Sequence, residues 1–441
     1  MKKTIKYIVT FILTMLTLIS ILVLASSINS PNIKKHLIES AEYLDKKPGI
    51  DRIQNKREYT YLHTYADSVL LNIINYIEPE KPLKSILQSR FYQKLKIDTN
   101  ADFVTAIEEN QTANDEYSRY WHGSISIIRP LLLFFNIKQI YTILLLIFLI
   151  LYSTFIFTIF KKSKKIAIGI LISSFAINIF IVPFCLEYFW TIALMMITSI
   201  VVIKNEKYGD ERLKIIFFIT GILTCYFDFL STETLTYTVP IMLIFLIRKD
   251  ENKENIKLII STGIVWLMGY IGAWLVKWIL CALVYDKNIF LFIGQKLLVR
   301  VNGEVEDVSR IQMYIEAITK NINTLFPLNI VQRKWKLIIP TTLIIMGFIM
   351  ICDKKKIRKN NFFYGLVLLS SIPYVRYLVL ANHSYRHSFF TFRAQMVTII
   401  GIFFIILDLA DKEKIKKIWR YLNKDIKIKG EKRKWKKYMD V

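Results

Sequence analysis

The feature that most constrains this chain is its series of nearly uncharged apolar runs. One reads QIYTILLLIFLILYSTFIFTIF, residues 139–160. A helix rises 1.5 Å per residue, so about twenty such residues cross a hydrocarbon core ~30 Å thick. Comparable runs fall at about 166–186, 188–203, 213–230, 234–248, 258–281, 336–352, 362–381 and 394–410. The opening MKKTIKYIVTFILTMLTLISILVLASSI adds another. Its apolar stretch exceeds the roughly 7–15 residues of a signal-peptide core, so it reads as an uncleaved first span. The expectation is an all-α integral membrane protein of about ten transmembrane helices.

Composition agrees with this reading. The 441 residues are 54% hydrophobic, with a mean hydropathy of +0.37, too apolar for an ordinary soluble domain. The net charge of +25 does not point to nucleic acid, because the basic residues form short clusters between the apolar runs. Four cysteines (Cys185, Cys225, Cys281, Cys352) lie in or beside those runs without metal-binding spacing, as small packing residues.

The clusters set orientation. KKSKK (161–165), KNEKYGDERLK (204–214), RKDENKENIK (248–257), DKKKIRKNN (353–361) and the tail from Asp411 alternate correctly with the Lys2/Lys3 head for an even number of spans. Positive charge favours the cytoplasmic side, so both termini are expected there. The division is a first span over 1–28, an extracytoplasmic helical segment over 29–128, a polytopic domain over 129–410 and a basic cytoplasmic tail over 411–441. In SISIIRPLLLFF (124–135) Pro130 would suit the first turn of an interfacial or re-entrant helix.

Ionisable groups in or near hydrocarbon are costly and usually have a task. Glu187, Asp228, Glu233, Lys277, Arg376 and Arg393 all sit within or at the outer ends of runs. The opposite account is Lys or Arg snorkelling and a Trp belt, as for Lys277 between Trp274 and Trp278. In the 29–128 segment, His63 and Asp67 are four apart and would share a helical face. NDEYSRYWHGSISIIRP brings Arg119, His122 and Arg129 to the membrane. NHSYRHSFFTFR (382–393) would open the last span, with Arg386 and Arg393 on nearly one face and His383 and His387 beside them. No phosphate loop, nucleophile elbow, metalloprotease or dinucleotide motif is present. No cofactor is called for, and no ligand spacing demands a metal.

A large first outer segment, about ten spans and acids and bases at the outer face together resemble integral-membrane glycosyltransferases of the GT-C fold. YSRYWHGSISIIRPLLLFF, FDFLSTETLTYTVPI and NHSYRHSFFTFR also look like poorly characterised cell-envelope membrane proteins of Gram-positive bacteria. The resemblance implies a location in the bacterial cytoplasmic membrane. It implies a polyprenyl-phosphate-linked sugar as donor, a glycan or lipid as acceptor, membrane lipids around both, and no nucleic acid. That family places an acidic catalytic residue early in the first outer loop. SSINSPNIKK offers none, which moves the role to Glu39, Asp51 or Asp67. Asp67 is the expected base, with Asp228 and Glu233 in reserve. Arg129, Arg376, Arg386 and Arg393 would bind phosphate, with His122, Lys277, His383 and His387 also lining the substrate site. A polysaccharide polymerase or ligase, and a lipid or glycan transporter, are the two other readings.

Overall fold

The computed structural model describes residues 2–47, 50–52, 61–94, 98–248, 252–285, 288–305, 307–326, 352, 361–411 and a few positions between 413 and 420. The apolar run at 336–352 lies outside the described residues apart from Cys352. So does most of the basic tail. The described chain is all-α apart from two short two-stranded sheets, Ile50–Arg52 with Tyr61–His63 and Arg90–Phe91 with Asp115–Glu116. Among the described residues, six helices are long and apolar enough to cross a membrane. This makes the chain a multi-pass membrane protein.

Helix α1 (Lys2–Ser26) leads into the polar unit, where α2 (Ser30–Asp45), α3 (Thr64–Asn75) and α5 (Thr99–Glu108) pack together and α4 (Pro82–Gln88) lies against α1. Buried amides tie the unit together. Asn72 Nδ2 donates to the Tyr92 carbonyl at 2.9 Å, and Asn100 Nδ2 donates to the carbonyls of Leu44 and Lys47, both at 2.9 Å. Short α6 (Ile125–Leu131) follows, with Pro130 near its end and not in its first turn. Arg129, fully buried on α6, donates to the carbonyls of Ile74 and Ile28 at 2.6 and 2.7 Å. It thereby ties the end of α3 to the turn after α1.

Then come α7 (Ile137–Lys162), α8 (Lys164–Ala176), α9 (Leu186–Asn205), α10 (Asp210–Phe227), α11 (Leu235–Ile247) and α12 (Asn252–Val284). The run at 166–186 is not one helix. Asn178 takes a left-handed backbone (φ 51°), and a 3-10 turn Ile179–Phe184 containing Pro183 carries the chain to α9. Burial sorts the spans. The apolar window of α9 is 89% buried, against 22% for α1 and for α7, so α9 is central and the others keep one face for lipid. A helix apolar all round needs such a place, and α11, buried from Leu235 to Leu246, shares it.

Helices α10 and α12 touch backbone to backbone. A Cβ on Gly221 would lie 2.0 Å from the Trp266 carbonyl oxygen, and one on Gly269 would lie 2.3 Å from that of Phe218. Close approach through small residues is how membrane helices gain van der Waals contact. Gly221→Leu should therefore separate the pair and lose the monodisperse peak in size-exclusion chromatography. Gly294→Leu, where a Cβ meets nothing within 4 Å, should keep it.

Beyond α12, the described residues of the segment 283–335 hold two helices, α13 (Ile289–Asn302) and α14 (Arg310–Asn323). Helix Asn361–Val379 and the final helix Met396–Leu409 close the described fold. Between them the chain breaks at His387 into Ala381–Arg386, Ser388–Thr391 and a 3-10 turn Phe392–Gln395. Ion pairs gather the basic connectors at one end of the bundle: Lys162–Glu206 at 2.6 Å, Arg248–Asp210 at 2.7 Å and Lys3–Glu211 at 3.3 Å. The polar unit and the 381–395 stretch lie at the other.

Candidate functional site

At that other end is a cavity of about 320 Å³, within the range of small-molecule sites. Its floor is one side of α3, which supplies Tyr65, Ala66, Val69 and Leu70. The first turn of α9 gives Glu187, and the turn after α10 gives Phe229. His383, Arg386, His387, Phe389 and Phe390 come from the broken stretch, and Arg300 from the last turn of α13. Tyr117 and His122 complete the lining. Glu187 is the one carboxylate among these residues.

His122 sits in a left-handed turn (φ 53°), followed by Gly123, whose N–H donates to the Tyr226 carbonyl at 2.9 Å. A side chain at Gly123 would enter the Tyr226 ring at 2.2 Å, so the turn requires glycine there. The Tyr117 carbonyl can only accept, so His122 Nε2 carries the proton across 2.9 Å. Burial, with the nearby Lys277 and Arg119 cations, holds His122 down at about 3, and it is neutral. His383 is likewise held well below its ordinary value, first by burial and then by Arg376. Its Nδ1 lies 3.4 Å from Arg376 Nη2 and must accept, which leaves the proton on Nε2. The His383 and His387 ring centroids are 4.7 Å apart, and His387 stacks on Phe390 at 5.2 Å. His122 and His383 are thus neutral hydrogen-bonding groups, and fixed positive charge enters the lining through Arg300 and Arg386.

Other sequence candidates are placed elsewhere. Asp67 is fully buried on the side of α3 turned away from the cavity. It accepts the Tyr141 hydroxyl at 2.6 Å and the Leu186 N–H at 3.0 Å. The carboxylate thus satisfies a first-turn donor of α9, whose second residue is Glu187. The expected His63–Asp67 helical face does not form, because His63 ends a strand before α3 begins; its side chain is outside the described residues. Asp228 accepts from Thr191 Oγ1 at 2.9 Å and Ser231 Oγ at 2.5 Å. Glu233 pairs with Arg376 Nε at 2.8 Å. Lys277 donates to the Ile86 carbonyl at 2.8 Å, near the end of α4, beside the Trp121 ring. Glu39 accepts from Asn136 at 2.9 Å, and the side chain of Asp51 is outside the described residues. Arg386 and Arg393 do not share a face. Arg386 is exposed, whereas Arg393 is buried over the Tyr188 ring at 4.2 Å, because the helix breaks at His387 between them.

Asp67 has a measurable signature. Burial, which outweighs its hydrogen bonds, raises it from 3.8 to about 7. An acid raised in the folded state keeps its proton while the unfolded chain has lost it. Its contribution to stability is therefore complete below about pH 3.8 and falls away as pH rises to about 7. Asp67→Asn should flatten that slope in thermal unfolding of the purified protein between pH 4 and 7.

Sequence reasoning missed Arg300 and Tyr117 as lining residues. The signal for Arg300 was present: Ile289, Ile293, Lys296 and Arg300 repeat at helical spacing on one face. Among the described residues, no three His, Cys, Asp or Glu side chains gather as metal ligands would, and all four cysteines are buried and free. No protein-family model, no curated protein and no solved structure matches the chain, so the cavity stands on its own geometry.

Proposed function

We propose that the protein is a membrane glycosyltransferase of GT-C type. It would move a sugar from a polyprenyl-phosphate donor to a cell-envelope glycan or lipid acceptor. The observation that carries this reading is a single cavity lined by Glu187, by Arg300 and Arg386, and by Phe229, Phe389 and Phe390. Glu187 takes the proton of the acceptor hydroxyl as that oxygen bonds to the anomeric carbon. The bond from that carbon to the phosphate oxygen breaks, and the two guanidiniums meet the charge left on the phosphate. His383, with its proton on Nε2, is a further donor. The aromatic rings suit the first isoprene units of the carrier. Glu187 lies in the first turn of α9. Asp67 would hold that turn in place.

The sidedness proposed with this reading puts the cavity outside a bacterial cytoplasmic membrane, with both termini inside. In intact cells an impermeant thiol reagent should modify a Cys at exposed Glu109 and spare one at exposed Lys165 until the cells are permeabilised. The reverse pattern would reject the sidedness. The reaction is tested by mass spectrometry of lipid extracts, in which a deletion strain should accumulate polyprenyl-phosphate sugar. A lipid diphosphate glycan, as a polymerase or ligase would use, is a second reading. It is favoured by the slit beside the cavity, where Arg119, Lys296 and Arg300 converge. The number of phosphates on the accumulating lipid separates the two, and an unchanged lipid pool rejects both.

A further inference from the structure

Helices α13 and α14 carry large apolar side chains on their outward as well as their inward faces. A surface helix turns its apolar stripe to the core and its charges outward. On α13, Arg300 lines the cavity on the same face as buried Ile289 and Ile293, while Leu291 and Leu298 point away from the protein, 60% and 66% exposed. On α14, Met313, Ala317 and Asn321 are buried, while Ile311 and Ile315 are 75% and 56% exposed. Ile318 and Ile322, both half-buried, follow them at helical spacing. The inward face carries polar contacts beside these apolar ones. Asn321 donates to the Ser384 carbonyl at 3.0 Å and accepts from Thr391 Oγ1 at 2.7 Å, and Lys320 lies over the Tyr385 ring.

We infer that α13 and α14 form a membrane-seated side wall of the cavity, with their outward apolar faces in the hydrocarbon of the bilayer leaflet at the cavity end. The occupant follows from continuity. The apolar face of α12 is exposed at Leu275, Ile279 and Leu283, and α13 begins only five residues after α12 ends. The lipid-facing surface of a spanning helix therefore runs on into Leu291 and Leu298. Placing large aliphatic side chains in hydrocarbon removes them from water at about 25 cal/mol per Å², whereas in water the two faces would oppose the hydrophobic effect. The wall presents lipid with a hydrocarbon surface and the cavity with Arg300. This geometry holds whatever chemistry the cavity performs.

The test is nitroxide accessibility in the full-length protein reconstituted in phosphatidylglycerol–phosphatidylcholine vesicles. Labels at Leu298→Cys and Ile315→Cys should be relaxed by oxygen several-fold more than by a water-soluble nickel chelate. A label at Glu304→Cys, exposed in the connecting turn, should show the opposite order. Val299→Cys and Ile311→Cys report the same two faces if either first variant fails to fold. Nickel-dominated relaxation at the outward positions would put the wall in water and overturn the inference. Poor access for both agents would mean that protein covers it, whether a second copy or residues 327–351, and would overturn it equally.

Discussion

Arg376→Met should destabilise the protein by about 3–5 kcal/mol, the cost of leaving a buried carboxylate without its partner. The guanidinium holds three segments together. It reaches Glu233 Oε1 at 2.8 Å, the Leu230 carbonyl at 2.7 Å and Ser384 Oγ at 3.1 Å. Leu230 takes a left-handed backbone (φ 64°), and its carbonyl is one of the bonds made by the same arginine. The Arg376→Met, Glu233→Met double variant removes both charges and should recover most of the loss, since a matched apolar pair is often as stable as a buried ion pair. Thermal unfolding in detergent reads both. A double variant no more stable than the single one would show that the pair is not what joins these segments.

Glu187→Gln should lower turnover by about 10²–10⁴-fold, the usual worth of a general base, and should leave the unfolding temperature nearly unchanged. The amide matches the carboxylate in size but cannot take a proton. Asp67→Asn is the instructive contrast. Its site joins α3, α7 and the start of α9 through Tyr141 and the Leu186 N–H, so its main effect falls on stability and its pH dependence. Both variants are read by whether they restore the lipid-linked glycan pool of a deletion strain. Full restoration by Glu187→Gln removes the base from Glu187.

Much of the frame was legible in the sequence because a bilayer imposes one length on every span. The runs that became α1, α7 and α12 needed only counting. What stayed hidden was set by contacts distant in the chain. Asp67 was visible as a costly acid among apolar residues, but its partner is a backbone N–H 119 positions away. A single sequence does not show which helix start needs an acceptor. The stretch at 382–393 has helical spacing throughout. It nonetheless breaks at His387, while Thr391 Oγ1 bonds Asn321 Oδ1 and Gln395 Nε2 bonds the Asn321 carbonyl, both on α14. Tertiary hydrogen bonds there outweigh local propensity. Arg300 lay in a segment read as a connector, although its helical spacing was already in the sequence.

The proposed ligand of the cavity is a lipid with an anionic head, held by Arg300 and Arg386. Native mass spectrometry of the purified protein with added polyprenyl phosphate or neutral polyprenol tests it most directly. The phosphate should be retained and the alcohol should not, and the Arg300→Gln, Arg386→Gln double variant should lose the phosphate while keeping its unfolding temperature. Equal retention of the alcohol, or undiminished phosphate binding by the double variant, would contradict it.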